Sequence, residues 1–124
     1  MRSILIATIG AVLLAGTAPA AEQARPHPIY KVGDEGVKAP SIIREVKPKY
    51  TADAMRRQVQ GNVEVEAVIL ADGSVGDVTV KRSLDPDLDE EAVKATKQWR
   101  FRPGTKDGAA VAVQVFIELT FRLK

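Results

Sequence analysis

The sequence contains no cysteine and only one histidine, and these two facts exclude several kinds of site. Without cysteine there is no disulfide, no thiolate metal ligand and no thiol nucleophile. His27 alone cannot build a zinc site, so we expect neither a metal nor a cofactor. The excess of one charge over the other is also small, because the chain has 18 Lys and Arg and 16 Asp and Glu. A net charge of +2 is too small for a nucleic-acid-binding surface, so nucleic acid is not an expected partner.

The N-terminus has the layout of a secretory signal. Met1 and Arg2 give a positive start, and a largely apolar run follows over residues 4–15. A helix that spans a bilayer needs about 20 apolar residues, so this run is too short for one. Small residues at 17–20 provide an A-x-A cleavage site. We therefore predict a signal peptide over 1–20 and export to a bacterial periplasm.

Residues 21–47 are predicted to form a flexible tail or linker. Three prolines and two glycines interrupt this stretch, which has little hydrophobic periodicity. The remaining residues, 48–124, are enough for one small folded domain.

Hydrophobic spacing predicts two helices within this domain. Thr51 is a suitable N-cap for a first helix over about 51–60. A second helix begins either at Asp85, with Pro86 in its first turn, or at Asp87 with a capping box. Its buried stripe would comprise Leu88, Ala92, Ala95 and Trp99.

Three segments alternate between apolar and polar residues, as strands do, over 62–70, 75–82 and 111–123. The Asp72-Gly73 dipeptide between the first two is a strong hairpin signal. The apolar pattern favours one register, which pairs Val65 with Val80, Ala67 with Val78 and Glu64 with Lys81.

The order of these elements predicts an α+β fold. A strand that follows a crossover helix lies parallel to the strand before it. The third strand therefore pairs antiparallel with the first, which gives a three-stranded antiparallel sheet in the order 2-1-3. Both helices would pack on one face of the sheet, and the other face would be open to water.

No arrangement of residues indicates catalysis, so we predict that the protein is not an enzyme. Glu64 and Glu66 lie two apart on one strand, but an open sheet face with a lysine opposite favours solvated charges. Residues 73–76 contain a serine between glycines without the spacing of a nucleophile elbow. The Trp99–Arg102 segment is better explained by a core tryptophan than by nucleic-acid binding.

The third strand is the more informative feature, because in the order 2-1-3 it forms an edge of the sheet. Long open edges are usually blunted, since unpaired N–H and C=O groups attract another strand. We therefore predict strand addition, with Val115→Pro removing an edge N–H. One alternative is that residues 29–47 fold back over the edge. Another is self-association of two such strands, which Phe116→Lys would prevent.

The chain resembles the TonB C-terminal domain family. The resemblance rests on an ordered set of motifs across about residues 40–124, namely Pro48-Lys49-Tyr50, Gly61-Asn62-Val63, Asp72-Gly73-Ser74-Val75, Leu88-Asp89-Glu90-Glu91-Ala92, Trp99-Arg100-Phe101-Arg102-Pro103, Asp107-Gly108 and a last strand ending in Phe121.

The resemblance implies a periplasmic adaptor rather than an enzyme. Domains of this family pair by strand addition with a short segment of a TonB-dependent outer-membrane receptor, and an ExbB–ExbD motor supplies the force. By this resemblance the pairing strand would comprise Val113, Gln114, Val115, Phe116, Ile117, Glu118 and Leu119. Pro48 and Tyr50 would mark the segment that approaches it.

Three functions remain open at this point. The first is a secreted module that recognises an extended receptor segment. The second is an energy transducer whose N-terminal segment stays uncleaved as an inner-membrane anchor. Against it, the run over 4–15 lacks the histidine of the family's anchor, and no long proline-rich spacer follows. The third is a homodimer joined through its edge strands.

Overall fold

The computed structural model describes residues 28–124, so the predicted signal and its cleavage site lie outside the described residues. The strands are β1 (Ile29–Lys31), β2 (Val37–Lys38), β3 (Ser41–Arg44), β4 (Gly61–Ile69), β5 (Val75–Arg82), β6 (Arg100–Arg102), β7 (Gly104–Lys106) and β8 (Ala109–Phe121). The helices are α1 (Ala52–Arg56), between β3 and β4, and α2 (Pro86–Lys97), between β5 and β6. Neither is long and apolar enough to cross a bilayer.

The predicted α+β class is confirmed, but the sheet is larger than predicted. β5, β4 and β8 are neighbours, in the order expected for the three main strands. β7 and β2 extend the sheet beyond β8, and β1 also pairs with β8, which makes six strands. β3 and β6 form a separate two-stranded ribbon. The prediction of a three-stranded sheet is wrong because strands of two to four residues are too short to leave an alternating pattern.

The predicted hairpin register is correct in its centre and shifts on both sides of it, since Ile69 pairs with Val75 at the turn end. Val65 pairs with Val80, and Ala67 with Val78. Glu64 pairs with Arg82 rather than with Lys81, because the register shifts between Glu64 and Val65. Such irregularities move the pairing by a residue without disturbing the apolar pattern that predicted it.

The first helix is shorter than predicted. Thr51 is its N-cap, and the Thr51 side chain accepts a hydrogen bond from the Ala54 N–H, as expected. The helix ends at Arg56 because Gln58 takes a left-handed conformation with a φ of 57°. The Val59 N–H then bonds the Ala54 carbonyl at 3.0 Å, which closes the helix end before residue 60.

The second helix begins at Pro86 with Asp85 as its N-cap, the first of the two predicted starts. Asp85 is buried, and its carboxylate accepts hydrogen bonds from the N–H groups of Asp87 and Leu88. It also accepts one from Arg57, just after α1, at 2.9 Å. Burial works to raise the pKa of Asp85, but the hydrogen bond from Arg57 and those from the backbone lower it below its usual value. This ion pair therefore joins the end of one helix to the start of the other.

The core lies between the helices and one face of the sheet. β4 buries alternate residues, and Trp99 is only 4% exposed. The predicted α2 stripe is confirmed, since all four of its residues are buried. One cluster combines residues from both helices, from the main strands and from β6: Ala54, Val63, Val65, Ala67, Ile69, Leu88, Ala92, Trp99, Phe101, Leu119 and Phe121. The helices thus cover a single face.

Residues 28–47, which lie in the predicted linker, contain more regular structure than their composition predicts. β1 pairs parallel with β8, β2 pairs with β7, and β3 pairs with β6. Long-range pairing therefore orders a stretch whose local sequence favours turns. The consequence for the site is that this stretch lies beside the edge of β8.

Candidate functional site

The two halves of β8 have different surroundings. On one edge, β4 pairs with the strand from Val113 to Phe121. On the other edge, β7 pairs with Ala109–Val111 and β1 pairs with residues 112–114. Among the described residues, no strand pairs with this outer edge over 115–121. We call this stretch the open edge.

The hydrogen bonds of β1 identify which backbone groups of β8 point outward. Lys31 uses both of its backbone groups on Asp34: its N–H donates to the Asp34 carboxylate at 2.8 Å, and its C=O accepts from the Asp34 N–H at 3.0 Å. Tyr30 is therefore the residue of β1 that bonds β8. Since Tyr30 lies opposite Val113, a parallel ladder makes it bond to the residues on either side, 112 and 114.

Alternation then assigns the rest of the strand. If residues 112 and 114 face the outer edge, so do Phe116, Glu118 and Thr120, whereas Val115 and Ile117 direct their N–H groups to β4. The turn after β4 agrees, because Leu70 bonds Ser74 at 2.8 Å and so faces β5, which leaves the odd-numbered residues of β4 facing β8. The expectation that Val115→Pro removes an edge N–H is therefore wrong by one residue. Apolar alternation predicts the side-chain face but not the edge to which the amides point.

An apolar cavity of about 510 Å³ opens on the first part of the open edge. Its walls come from Phe116 and Ile117 on β8, from Val32 after β1, and from Ile42 and Phe101 on the ribbon. Phe116 is 60% exposed and Ile42 is 53% exposed, so large apolar side chains face water here. An arriving strand could cover both.

A second cavity, of about 390 Å³, continues along the last part of the same edge. It is bounded on one side by residues 118–122 and on the other by Glu45, Lys47, Pro48 and Tyr50. Its charged lining, which includes Glu118 and Arg122, contrasts with that of the apolar cavity. Residues 45–50, which we call the approach segment, thus form a wall that faces the open edge and do not pair with it as a strand.

Aromatic side chains hold this wall in place. The indole N–H of Trp99 donates to the Val46 carbonyl at 2.8 Å, and its ring stacks on Phe101. The Tyr50 ring meets Phe121 edge to face with centroids 5.4 Å apart, and its hydroxyl donates to the Val59 carbonyl. These contacts fix the segment over 46–50 at both ends.

The structure brings most of the predicted site residues together. Phe116, Ile117, Glu118 and Leu119 line the two cavities, and Val115 lines the apolar one. Val113 and Gln114 are already paired with β1, and Val113 is fully buried. The alternative that residues 29–47 cover the edge thus describes its first part. Sequence reasoning missed Val32 and Ile42, which line the apolar cavity, and Val46, which accepts the Trp99 hydrogen bond, since nothing local signals these contacts.

The helix-free face carries the carboxylates considered for catalysis. Glu66 accepts a hydrogen bond from the Gln114 side chain at 2.7 Å. Glu64 lies directly opposite Glu118 across the β4–β8 ladder. All three are on an open sheet face, an arrangement typical of solvated charges.

These features define a class of structure, namely an α+β domain whose long C-terminal strand leaves part of its outer edge without a strand partner. The comparison with family models agrees with this class of structure. The model described as the Gram-negative bacterial TonB protein C-terminal matches residues 46–123, well over half of the chain. The chain therefore belongs to the TonB C-terminal family.

Individual relatives agree with the family match. Protein TonB of Vibrio cholerae serotype O1 is 32% identical over 90 residues, which cover 71% of this chain and 37% of that protein. Protein tonB2 of Pseudomonas aeruginosa is 38% identical over 77 residues, covering 61% and 28%. The chain thus spans about a third of the length of these relatives. The solution NMR structure of the Pseudomonas aeruginosa TonB CTD matches with a TM-score of 0.58 and 29% identity, covering 76% of this chain and 93% of that one.

Proposed function

We propose that this protein is a periplasmic TonB-like binding module that recognises an extended segment of a TonB-dependent outer-membrane receptor by strand addition. One observation carries the proposal: the outer edge of β8 has no strand partner over 115–121, although the same edge is paired over 109–114. Strand addition needs such a row of free N–H and C=O groups.

The cavities along the open edge support the same proposal. An added strand projects alternate side chains to opposite faces, and these need pockets for specificity. The apolar cavity would take an aliphatic or aromatic side chain between Ile42 and Phe116. The charged cavity would take polar groups beside Glu118 and Arg122. A paired segment of about seven residues is the longest that fits without displacing β1.

The main test uses a set of overlapping synthetic peptides copied from TonB-dependent receptors of the same organism. They are titrated into the full chain as it is processed in a Gram-negative host. For a peptide that binds, two versions are made with N-methyl groups on alternate residues. Because only every second amide faces the partner strand, one version should lose binding and the other should retain most of it. Equal binding by both versions contradicts strand addition.

A pair of variants at one position tests the protein side. Glu118→Pro removes an outward N–H, whereas Glu118→Ala removes only the side chain. We expect the proline variant to lose peptide affinity at least tenfold relative to the alanine variant, as expected when hydrogen bonding at the edge is lost. Similar affinities for the two variants would mean that the peptide binds elsewhere.

Self-association through the same edge makes a different prediction. If two open edges paired across a two-fold axis, the mass in solution would rise with concentration, and Phe116→Lys would give a monomer. If the edge binds a receptor segment instead, the wild-type protein should stay monomeric at the protein concentrations used in the peptide titrations.

Energy transduction depends on the N-terminus, outside the described residues. We propose a free periplasmic module, and coupling to an ExbB–ExbD-type motor would require the N-terminal segment to remain as an anchor. The N-terminal mass after cell fractionation separates the two. A chain that begins at Ala21 in the soluble periplasm supports the free module. A full-length chain in the inner-membrane fraction supports the anchored transducer instead.

A further inference from the structure

The outer face of the β3–β6 ribbon is strongly basic. Phe101 is buried at the centre of β6, so alternation turns Arg100 and Arg102 to the outside. Arg44 of β3 lies directly opposite Arg100, and Ser41 lies opposite Arg102. Three guanidinium groups therefore share one small surface, which we call the arginine face.

The charges of the arginine face are not paired within the described part of the chain, although the Arg100 guanidinium donates one hydrogen bond to the neutral Trp99 carbonyl at 2.9 Å. All three arginines are exposed, and within residues 28–124 none of them forms an ion pair. Like charges directly opposite each other destabilise a strand pair. A protein with a net charge of only +2 thus concentrates unpaired positive charge in one place.

Two acidic residues, Asp72 and Glu45, could offset these charges, but neither forms an ion pair with the arginine face. Asp72 binds the hydroxyl and the N–H of Ser74. These bonds are the main reason why its pKa is lowered, and the charge of Arg100 contributes least. Glu45 follows Arg44 in the chain but lines the charged cavity beside the open edge. Asp72 therefore offsets a small part of the charge of Arg100, and the guanidinium groups keep the capacity to form ion pairs with an external anion.

The shape of the arginine face favours an extended anionic surface over a small ion. Neither the apolar cavity nor the charged cavity is lined by Arg44, Arg100 or Arg102. A flat ribbon cannot enclose a free phosphate. Ile43, next to Arg44, is 64% exposed and supplies an apolar side chain beside the charges. Clustered cations with an adjacent apolar side chain are the combination that binds anionic bilayers peripherally.

We propose that the arginine face docks this protein onto an anionic phospholipid surface, with guanidinium groups on the phosphates and Ile43 at the level of the headgroups. The arginine face and the open edge use different residues. A receptor segment and a lipid surface could therefore be bound at the same time. The proposal does not depend on strand addition.

The test is co-sedimentation of the full chain, as processed in a Gram-negative host, with vesicles. One set contains about one-third phosphatidylglycerol in phosphatidylcholine, and the other is pure phosphatidylcholine. We expect binding to the anionic set only, weakening as salt is added. Each basic residue near such a surface is worth about fivefold in affinity, so Arg100→Gln with Arg102→Gln should lose roughly 25-fold.

The matched control is Lys81→Gln with Lys124→Gln, which removes the same charge from exposed positions outside the arginine face. The control pair should bind nearly as well as wild type, and Ile43→Ser should lose several-fold without changing the dependence on salt. Equal losses in the two double variants would overturn the proposal, since net charge alone would then explain binding. Wild-type protein that ignores anionic vesicles but binds poly-glutamate would also overturn it, in favour of an acidic protein partner.

Discussion

The two halves of β8 belong to one continuous strand, yet they differ in what lies on their outer edge. The first half is closed by β7 and β1, whereas the second half faces two cavities and the approach segment. The difference does not arise from β8 itself. It arises from residues 28–50, which pair with the first half and then move away to β6. The second half of β8 is thus left without a strand partner because residues 28–50 leave its edge.

The largest expected effect comes from disturbing the edge of β8 that pairs with β4. Val115→Pro should cost about 3 kcal/mol of unfolding free energy, because the Val115 N–H points to β4 in the middle of the sheet. Glu118→Pro, three residues later on the outer edge, should cost less than about 1 kcal/mol. Denaturant unfolding of both variants measures the contrast. Equal destabilisation would mean that the assignment of outward amides is wrong.

The next effect concerns how closely β7 and residues 37–40 pack over the first half of β8. A Cβ at Gly104 would lie 2.6 Å from a methyl group of Val113 and 2.7 Å from the Lys38 carbonyl oxygen. Gly104→Ala should therefore cost about 2 kcal/mol. Gly108→Ala is the control, since its φ of +90° is strained but nothing lies within 4 Å of the new Cβ, and about 1 kcal/mol is expected. If Gly104→Ala is the milder change in thermal unfolding, the cover over the first half is looser than described.

A smaller effect concerns the wall that faces the second half. Trp99→Phe keeps a ring against Phe101 but removes the N–H that holds the Val46 carbonyl. We expect a loss of about 1 kcal/mol in stability and a several-fold loss in peptide affinity, because the approach segment is released. Thr96→Val serves as a control for stability alone, since its hydroxyl bonds the Ala92 carbonyl inside α2, away from the edge. An unchanged affinity in the Trp99 variant would exclude the wall from the binding site.

The smallest effect separates stability from binding by pH. The pKa of Asp85 is lowered in the folded state, so its contribution is complete above its unfolded pKa of about 3.9 and is lost as the pH falls through the folded value. The thermal midpoint should be flat from neutral pH to about pH 5 and then decline below about pH 4. Arg57→Gln should reduce this decline. Peptide affinity is measured over the same pH range in wild type and in the Arg57→Gln variant. If it falls at the same pH in both proteins, groups other than Asp85 control binding at the open edge.

The sequence predicts the parts of this molecule that carry strong local signals. The α+β class, the central hairpin register and the α2 stripe follow from alternation, helical spacing and capping residues. The short strands β1, β2, β3, β6 and β7 could not be predicted, because they exist only through pairing with distant residues. The same limit applies to the site. Phe116 and Ile117 were expected on the edge, but Ile42 comes to the apolar cavity only because β3 pairs with β6, and the segment over 46–50 is held only through the Trp99 hydrogen bond to Val46.

Residue-resolved amide hydrogen exchange of the free, monomeric protein tests the central claim most directly. If the outer edge of β8 is closed in its first half and open in its second, the Gln114 amide should be protected, and the Phe116 and Glu118 amides should exchange rapidly. The Val115 and Ile117 amides, bonded to β4, should be protected throughout. Addition of a bound receptor peptide should slow exchange at Phe116 and Glu118. Protection of Phe116 and Glu118 equal to that of Gln114 in the free monomer would contradict the account, because the edge would then be closed along its whole length.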